Sequence, residues 1–121
     1  AEETGAAIAL ARFAAVTAVE RHAGALAHLY TPTGRQTVAR GRDLTACRLI
    51  IGTGGALVQL PGGLETLEAA RARSSGGGRL LPPADARVAL DRDYVFACCG
   101  ALAARFERGA IAALMRASMG D

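Results

Sequence analysis

Residues 49–57 read Leu49-Ile50-Ile51-Gly52-Thr53-Gly54-Gly55-Ala56-Leu57, a β-branched apolar run that stops in glycines and then resumes. A short apolar run bounded by glycine is the pattern of a fully buried strand. A strand that empties into glycines delivers a turn from which almost no side chain projects, so its backbone N–H groups approach a phosphate or a purine-ribose unit closely. The turn is not a Walker A loop, which needs a Gly-Lys pair in a chain that has no lysine, and it lacks the third glycine of a GxGxxG fingerprint. Gly52, Thr53, Gly54 and Gly55 are therefore the candidate nucleotide-binding residues. The competing reading is a tight turn that only leaves a core strand.

On the N-terminal side, Ile8, Phe13, Val16, Val19, Ala23, Leu26 and Leu29, at three- and four-residue steps from Phe13 onward, predict one amphipathic helix over 5–29, with Thr4 as its N-cap. Tyr30-Thr31-Pro32-Thr33-Gly34 supplies a turn, Gln36 to Ala39 is strand-like, and together they suggest a brief edge hairpin. Residues 41–45 read as irregular. On the C-terminal side, Pro61-Gly62-Gly63 breaks the chain before a short helix over 64–72, residues 74–78 form a Ser/Gly loop, and the prolines hold 80–83 extended. A short strand is expected over 87–91. Helices follow over 94–103, whose small residues suit close packing, and over 110–119. The pattern is an α/β domain, helix-rich, with a small short-stranded sheet.

Composition bounds the function. The chain is 51% hydrophobic but only 4% aromatic, with 28 alanines and 15 glycines, so its core is built from small aliphatic residues. All 14 basic residues are arginine, and they are scattered among 11 acidic ones, leaving a net charge of +3 and no basic stripe for nucleic acid. The three cysteines, Cys47 and the adjacent Cys98 and Cys99, form neither a CxxC motif nor an even disulfide framework, which suits a reducing, cytoplasmic setting. No leader-like or membrane-length apolar run is present. The chain opens Ala1-Glu2-Glu3-Thr4 without Met, as expected of a piece of a larger protein.

Several strings are informative together: Val19-Glu20-Arg21-His22-Ala23-Gly24, Tyr30-Thr31-Pro32-Thr33-Gly34, Gly41-Arg42-Asp43-Leu44-Thr45, Ile50 to Leu57, Leu80-Leu81-Pro82-Pro83 and Asp93-Tyr94-Val95-Phe96-Ala97. In order and spacing, over nearly the whole chain, they resemble the C-terminal region of the MutL/GlmL family. These are accessory proteins encoded with adenosylcobalamin-dependent glutamate mutase, unrelated to the mismatch-repair protein of similar name. That family resembles the actin, Hsp70 and sugar-kinase superfamily, whose adenosine motif is an apolar strand running into a Gly-Gly turn. The resemblance implies that residues 1–121 are a single C-terminal subdomain of an RNase H-like, actin/Hsp70-type ATPase. Gly52, Thr53, Gly54 and Gly55 would then face adenosine or its phosphates, and the small-residue helix around Gly100-Ala101 would pack behind them. It further implies ATP with Mg in the full-length protein, mutase subunits as partners, and a cycle that maintains or reactivates the mutase. The phosphate loops and hydrolytic acids of that superfamily have no counterpart here, so no catalytic residue is assigned and the piece is not expected to hydrolyse ATP unaided. The alternatives are a non-catalytic interaction module, in which the first helix docks a partner, and part of a metabolite kinase of the same superfamily. A homodimer through exposed apolar surface is compatible with any of these.

The remaining polar residues have ordinary readings. Asp43 and Glu65 flank the turn in sequence, where a ribose contact competes with a solvated cap. His22 and His28 are expected on the first helix, His28 near its end. Cys98 and Cys99 cannot face the same way on a helix, and no metal site is expected. Arg42 and Arg48 are candidates to neutralise phosphate, against a solvated role.

Overall fold

The computed structural model describes residues 2–72 and 77–120. A long helix, α1 (Glu2–His22), leads into an antiparallel hairpin of β1 (Ala25–Thr31) and β2 (Gly34–Arg40). The strand β3 (Leu49–Gly52) runs into a single helical turn, α2 (Gly55–Val58), and then α3 (Gly63–Ala72). After the extended segment around Leu80–Pro82 come β4 (Arg87–Leu90), α4 (Val95–Leu102) and α5 (Arg108–Met119). β3 and β4 pair in parallel, Leu49 opposite Arg87 and Gly52 opposite Leu90, with α3 crossing over between them. The chain is therefore mixed α/β, with two separate two-stranded sheets among the described residues.

The first helix is shorter than its apolar spacing predicts. It ends at His22, and Leu26 and Leu29 lie on β1, as does His28. Gly24 explains the stop: a Cβ there would collide with the Arg40 carbonyl oxygen and sit 2.8 Å from the Gly41 carbonyl carbon, so the two chain segments cross where only glycine fits. The hydrogen bond from Gly24 N to Arg42 O (2.6 Å) and the Ala23–Arg42 bridge then fix the hairpin base. Thr4 lies inside α1 rather than capping it, and Glu2 and Glu3 supply the acidic first turn. The side chain of His28 spans the hairpin, contacting Thr37 Oγ1 at 3.1 Å and Arg35 at 3.0 Å.

The core is small and alanine-rich: Val16 from α1, Leu67 and Ala70 from α3, Leu80 and Leu81, Ala86, Ala89 of β4 and Cys99 of α4. Such residues bury little area each, and Leu10, Phe13, Tyr30 and Phe106 are left well exposed. The accessible surface is 8204 Å², whereas a compact monomer of this mass has about 6,100 Å². β3 is half-buried rather than fully buried, because among the described residues one of its edges has no neighbouring strand. Gly100 and Ala101 are exposed, and a Cβ at Gly100 meets nothing, so α4 packs through Cys99 instead. Part of the expected Ser/Gly loop, residues 74–76, lies outside the described residues. No helix among the described residues is long and apolar enough to cross a membrane.

Candidate functional site

Because β3 and β4 are parallel, both end at the same side of the pair, which is where open α/β sheets place ligands. The four glycine-turn residues divide their roles there. Gly52 is a packing residue: a Cβ would come within 3.0 Å of Leu57, Leu67 and Leu90, so side-chain ends crowd over its backbone. Thr53 turns its hydroxyl back into the protein. Gly54 adopts φ 94° and ψ 156°, a conformation confined in practice to glycine, and nothing lies within 4 Å of where its Cβ would stand. Gly55 opens α2 with Gln59 Oε1 and the Tyr94 hydroxyl 3.8 and 3.9 Å from its would-be Cβ.

Gly54 O accepts from the amides of Leu57 and Val58, each at 3.0 Å, and no side chain caps the start of α2. Of the amides of α2, those of Gly55 and Ala56 take no part in these bonds. With four residues α2 carries little macrodipole, so what the turn offers is backbone donors rather than a field. Beside it lies a crevice of about 390 Å³ between Thr53–Leu57 and the alanine face of α1 at Ala11, Ala14, Ala15 and Ala18. Among the described residues, no charged side chain lines this crevice. Arg48 instead lines a separate crevice with Thr45, Asp85 and Arg87, and Arg42 is placed by its carbonyl's bond to Gly24. The site as built suits an uncharged planar or ribose group better than a triphosphate.

The residue that organises the turn is Asp91, which follows β4 and is 1% exposed. Its Oδ2 accepts from Thr53 Oγ1 (3.1 Å) and the Phe96 amide (3.2 Å), and its Oδ1 from Ser118 Oγ (2.7 Å) and the Val95 amide (3.0 Å). Its own amide donates to Gly52 O at 2.8 Å. One carboxylate therefore ties the glycine turn, the first amides of α4 and the end of α5. Burial pushes the Asp91 carboxyl up, but the hydrogen bonds from Ser118, Phe96, Val95 and Thr53 outweigh it and hold the group below the usual carboxylate range. A carboxylate offers about four lone-pair positions, and all are taken, so Asp91 positions its neighbours and is not poised to accept a proton or ligate a metal.

Tyr94, the N-cap residue of α4, is the one non-glycine with positive φ (55°) among the described residues. Such a conformation costs of order 1–3 kcal/mol and persists where surroundings over-determine it; here the Asp91 caps on both following amides do so. Sequence reading missed Asp91, Tyr94 and Ser118. No local signal marks Asp91: it stands ahead of the N-cap Tyr94, four residues before α4, and its role depends on partners that distant segments bring to it.

The other candidates lie apart from the turn. Asp43 accepts from the hydroxyl and amide of Thr45, and these two bonds hold its exposed carboxyl below its ordinary value. It is a local turn cap. Glu65 sits in the first turn of α3. Cys98 is exposed and Cys99 buried, on different sides of α4. Among the described residues, no three His, Cys, Asp or Glu side chains converge as metal ligands.

The family model described as MutL protein matches residues 1–119. The chain is 34% identical over 95 residues to Protein MutL of Clostridium tetanomorphum, a match covering 78% of this chain and 20% of that protein. It thus spans about a fifth of that relative's length. No solved structure matches the chain. With nearly every residue inside the family model, and with the glycine turn within the matched range, the chain belongs to the MutL family.

Proposed function

We propose that this chain is the nucleotide-facing C-terminal subdomain of an ATP-dependent accessory protein that maintains or reactivates an adenosylcobalamin-dependent mutase such as glutamate mutase. The observation that carries this reading is the open Gly54–Gly55 turn at the C-terminal end of a parallel strand pair, in a chain of the MutL family. Parallel strands with a helical crossover suit an RNase H-like, actin/Hsp70-type ATPase, in which this subdomain holds the nucleoside. The uncharged crevice matches that division of labour: the phosphates face groups supplied from elsewhere in the full-length protein. Mg bound with ATP would take its ligands from the phosphates and from groups elsewhere in the full-length protein. ATP shifts the population of open and closed forms, and closure acts on the mutase subunits in the cytoplasm. Thermal unfolding of the full-length protein tests the reading. Saturating ATP at 100 times Kd raises stability by about 2.7 kcal/mol, and an unchanged Tm across millimolar ATP contradicts it.

A second reading is a non-catalytic interaction module, favoured by Leu10 and Phe13, 68% and 69% exposed on α1. Under it the glycine turn has no ligand, and ATP leaves the full-length protein's Tm unmoved.

A further inference from the structure

The hairpin of β1 and β2 stands away from the rest of the chain. Backbone bonds tie only its base, from Gly24 N to Arg42 O, Leu26 N to Gly78 O and Leu80 N to Gly24 O, and among the described residues no other helix or strand packs across its faces. β2 is exposed along its length except for half-buried Val38, and Leu26, His28, Leu29 and Tyr30 of β1 are exposed as well. With seven residues to a strand the arm reaches about 20 Å. A two-stranded hairpin is marginal in water on its own, so an arm bare on both faces is a surface without its partner.

The arm also carries the charge of the chain. Residues 23–42 hold Arg35, Arg40 and Arg42 and no Asp or Glu, and the other 11 of the 14 arginines are balanced by the 11 acidic residues, so the net +3 resides in this segment. Strand alternation puts Leu26, His28 and Tyr30 on one face, opposite Ala39, Thr37 and Arg35 in register. Arginine can only donate, so its 3.0 Å contact with His28 makes Nε2 the acceptor and places the ring proton on Nδ1, toward Thr37 Oγ1 at 3.1 Å. The Arg35 guanidinium is thereby oriented on the face of Tyr30, which stands across from it and is 82% exposed. An open tyrosine beside an oriented arginine is the composition of a protein-binding hot spot.

We propose that this hairpin is a docking arm for an acidic surface of another protein. Arg35 pairs with a carboxylate of the partner, Tyr30 is covered at the contact, and Arg40 and Arg42 add the field that draws the two together. A protein rather than a nucleic acid is assigned because Leu26 and Leu29, 48% and 50% exposed, add apolar area that a phosphate backbone has no means to cover. The acidic chemistry of the partner is read from the arm; that the partner is a mutase subunit rests on the proposed function.

Binding of the full-length protein to purified mutase subunits tests it, with the Tm shift on ATP recorded for each variant. Tyr30→Ala and Arg35→Glu should each weaken binding at least roughly tenfold, wild-type affinity should fall as added salt screens the charges, and the ATP shift should stay unchanged. Wild-type affinity in both variants overturns the proposal, as does binding indifferent to salt. Equally tight binding of random duplex DNA also overturns it, since the arm then serves phosphate. Hydroxyl-radical footprinting of the full-length protein alone must find Tyr30 open; protection there means that the same polypeptide covers the arm, and the proposal falls. If wild type binds no mutase subunit, the proposal falls together with that partner, whereas a lost ATP shift with docking intact strikes the nucleotide reading and leaves the arm standing.

Discussion

The hydroxyl of Thr53 donates to the carboxylate of Asp91 at 3.1 Å, joining the glycine turn to a buried charge 38 residues away. That contact makes the turn a supported feature rather than a loose loop. The same carboxylate holds α4 and α5, so turn geometry and the C-terminal helices are coupled through one side chain.

Replacing Asp91 by Ala leaves the buried Ser118 hydroxyl and the Val95 and Phe96 amides without their acceptor. Buried donors left unmade cost about 1–3 kcal/mol each at most, partly relieved by relaxation. A loss of about 3 kcal/mol is expected, seen as a Tm lower by roughly 10–20 °C. Asp91→Asn keeps one acceptor oxygen and should lose about half as much. Calorimetry on the two variants checks the order.

The lowered Asp91 carboxyl pKa makes stability pH-dependent with a definite sign. Between its folded value and the unfolded value of about 3.9, the unfolded chain binds the extra proton, so stability rises with pH there. The contribution is complete above the unfolded value and is lost as pH falls through the folded one. Acid titration of Tm should show wild type falling below about pH 4, with a visibly shallower fall in Asp91→Asn.

Three glycines should respond differently to alanine. Gly63→Ala drives a methyl into the Leu57 carbonyl oxygen, a backbone atom that cannot step aside, and should be the most destabilising. Gly54→Ala meets no atom but strains φ 94°, at a cost of about 1–3 kcal/mol. Gly100→Ala, exposed within α4 with nothing within 4 Å, should stabilise the chain by about 0.5–1 kcal/mol. Chemical denaturation of the three variants gives the ranking.

Cys98 and Cys99 should separate under alkylation. Cys98 is exposed and should react rapidly, while Cys99, 1% exposed, should be protected until the chain unfolds. Peptide mapping after a timed pulse of iodoacetamide reads both.

Much of the fold was legible because local chemistry decides it. β3, α3, β4 and α5 follow from apolar runs bounded by glycine or proline, and tertiary contacts agree with them. β1 was not legible as a strand, since Leu26 and Leu29 extend the three- and four-residue steps of α1. What overrides that periodicity is the crossing of Gly24 with residues 40–42, a contact that no local pattern encodes. The site divides the same way. The glycine turn is visible in sequence, including the position that needs glycine for its backbone, Gly54. That Gly52 instead serves packing depends on Leu57, Leu67 and Leu90 converging, and the role of Asp91 depends on Thr53 and Ser118 arriving from 38 and 27 residues away. Gly100 was expected to sit in close packing, yet in this chain its surface is open.

The central claim is that the glycine turn faces a nucleotide, and titration of the full-length protein with fluorescently labelled ATP, wild type beside Gly54→Val, tests it most directly. The Cβ added by Gly54→Val meets no neighbouring atom, so the side chain extends toward the space a ligand would take, at the cost of backbone strain at φ 94°. The expected result is saturable binding by wild type and at least roughly tenfold weaker binding by the variant, a difference of about 1.4 kcal/mol, with the variant still folded. Equal affinity in the two proteins contradicts the claim and leaves the turn without a ligand role.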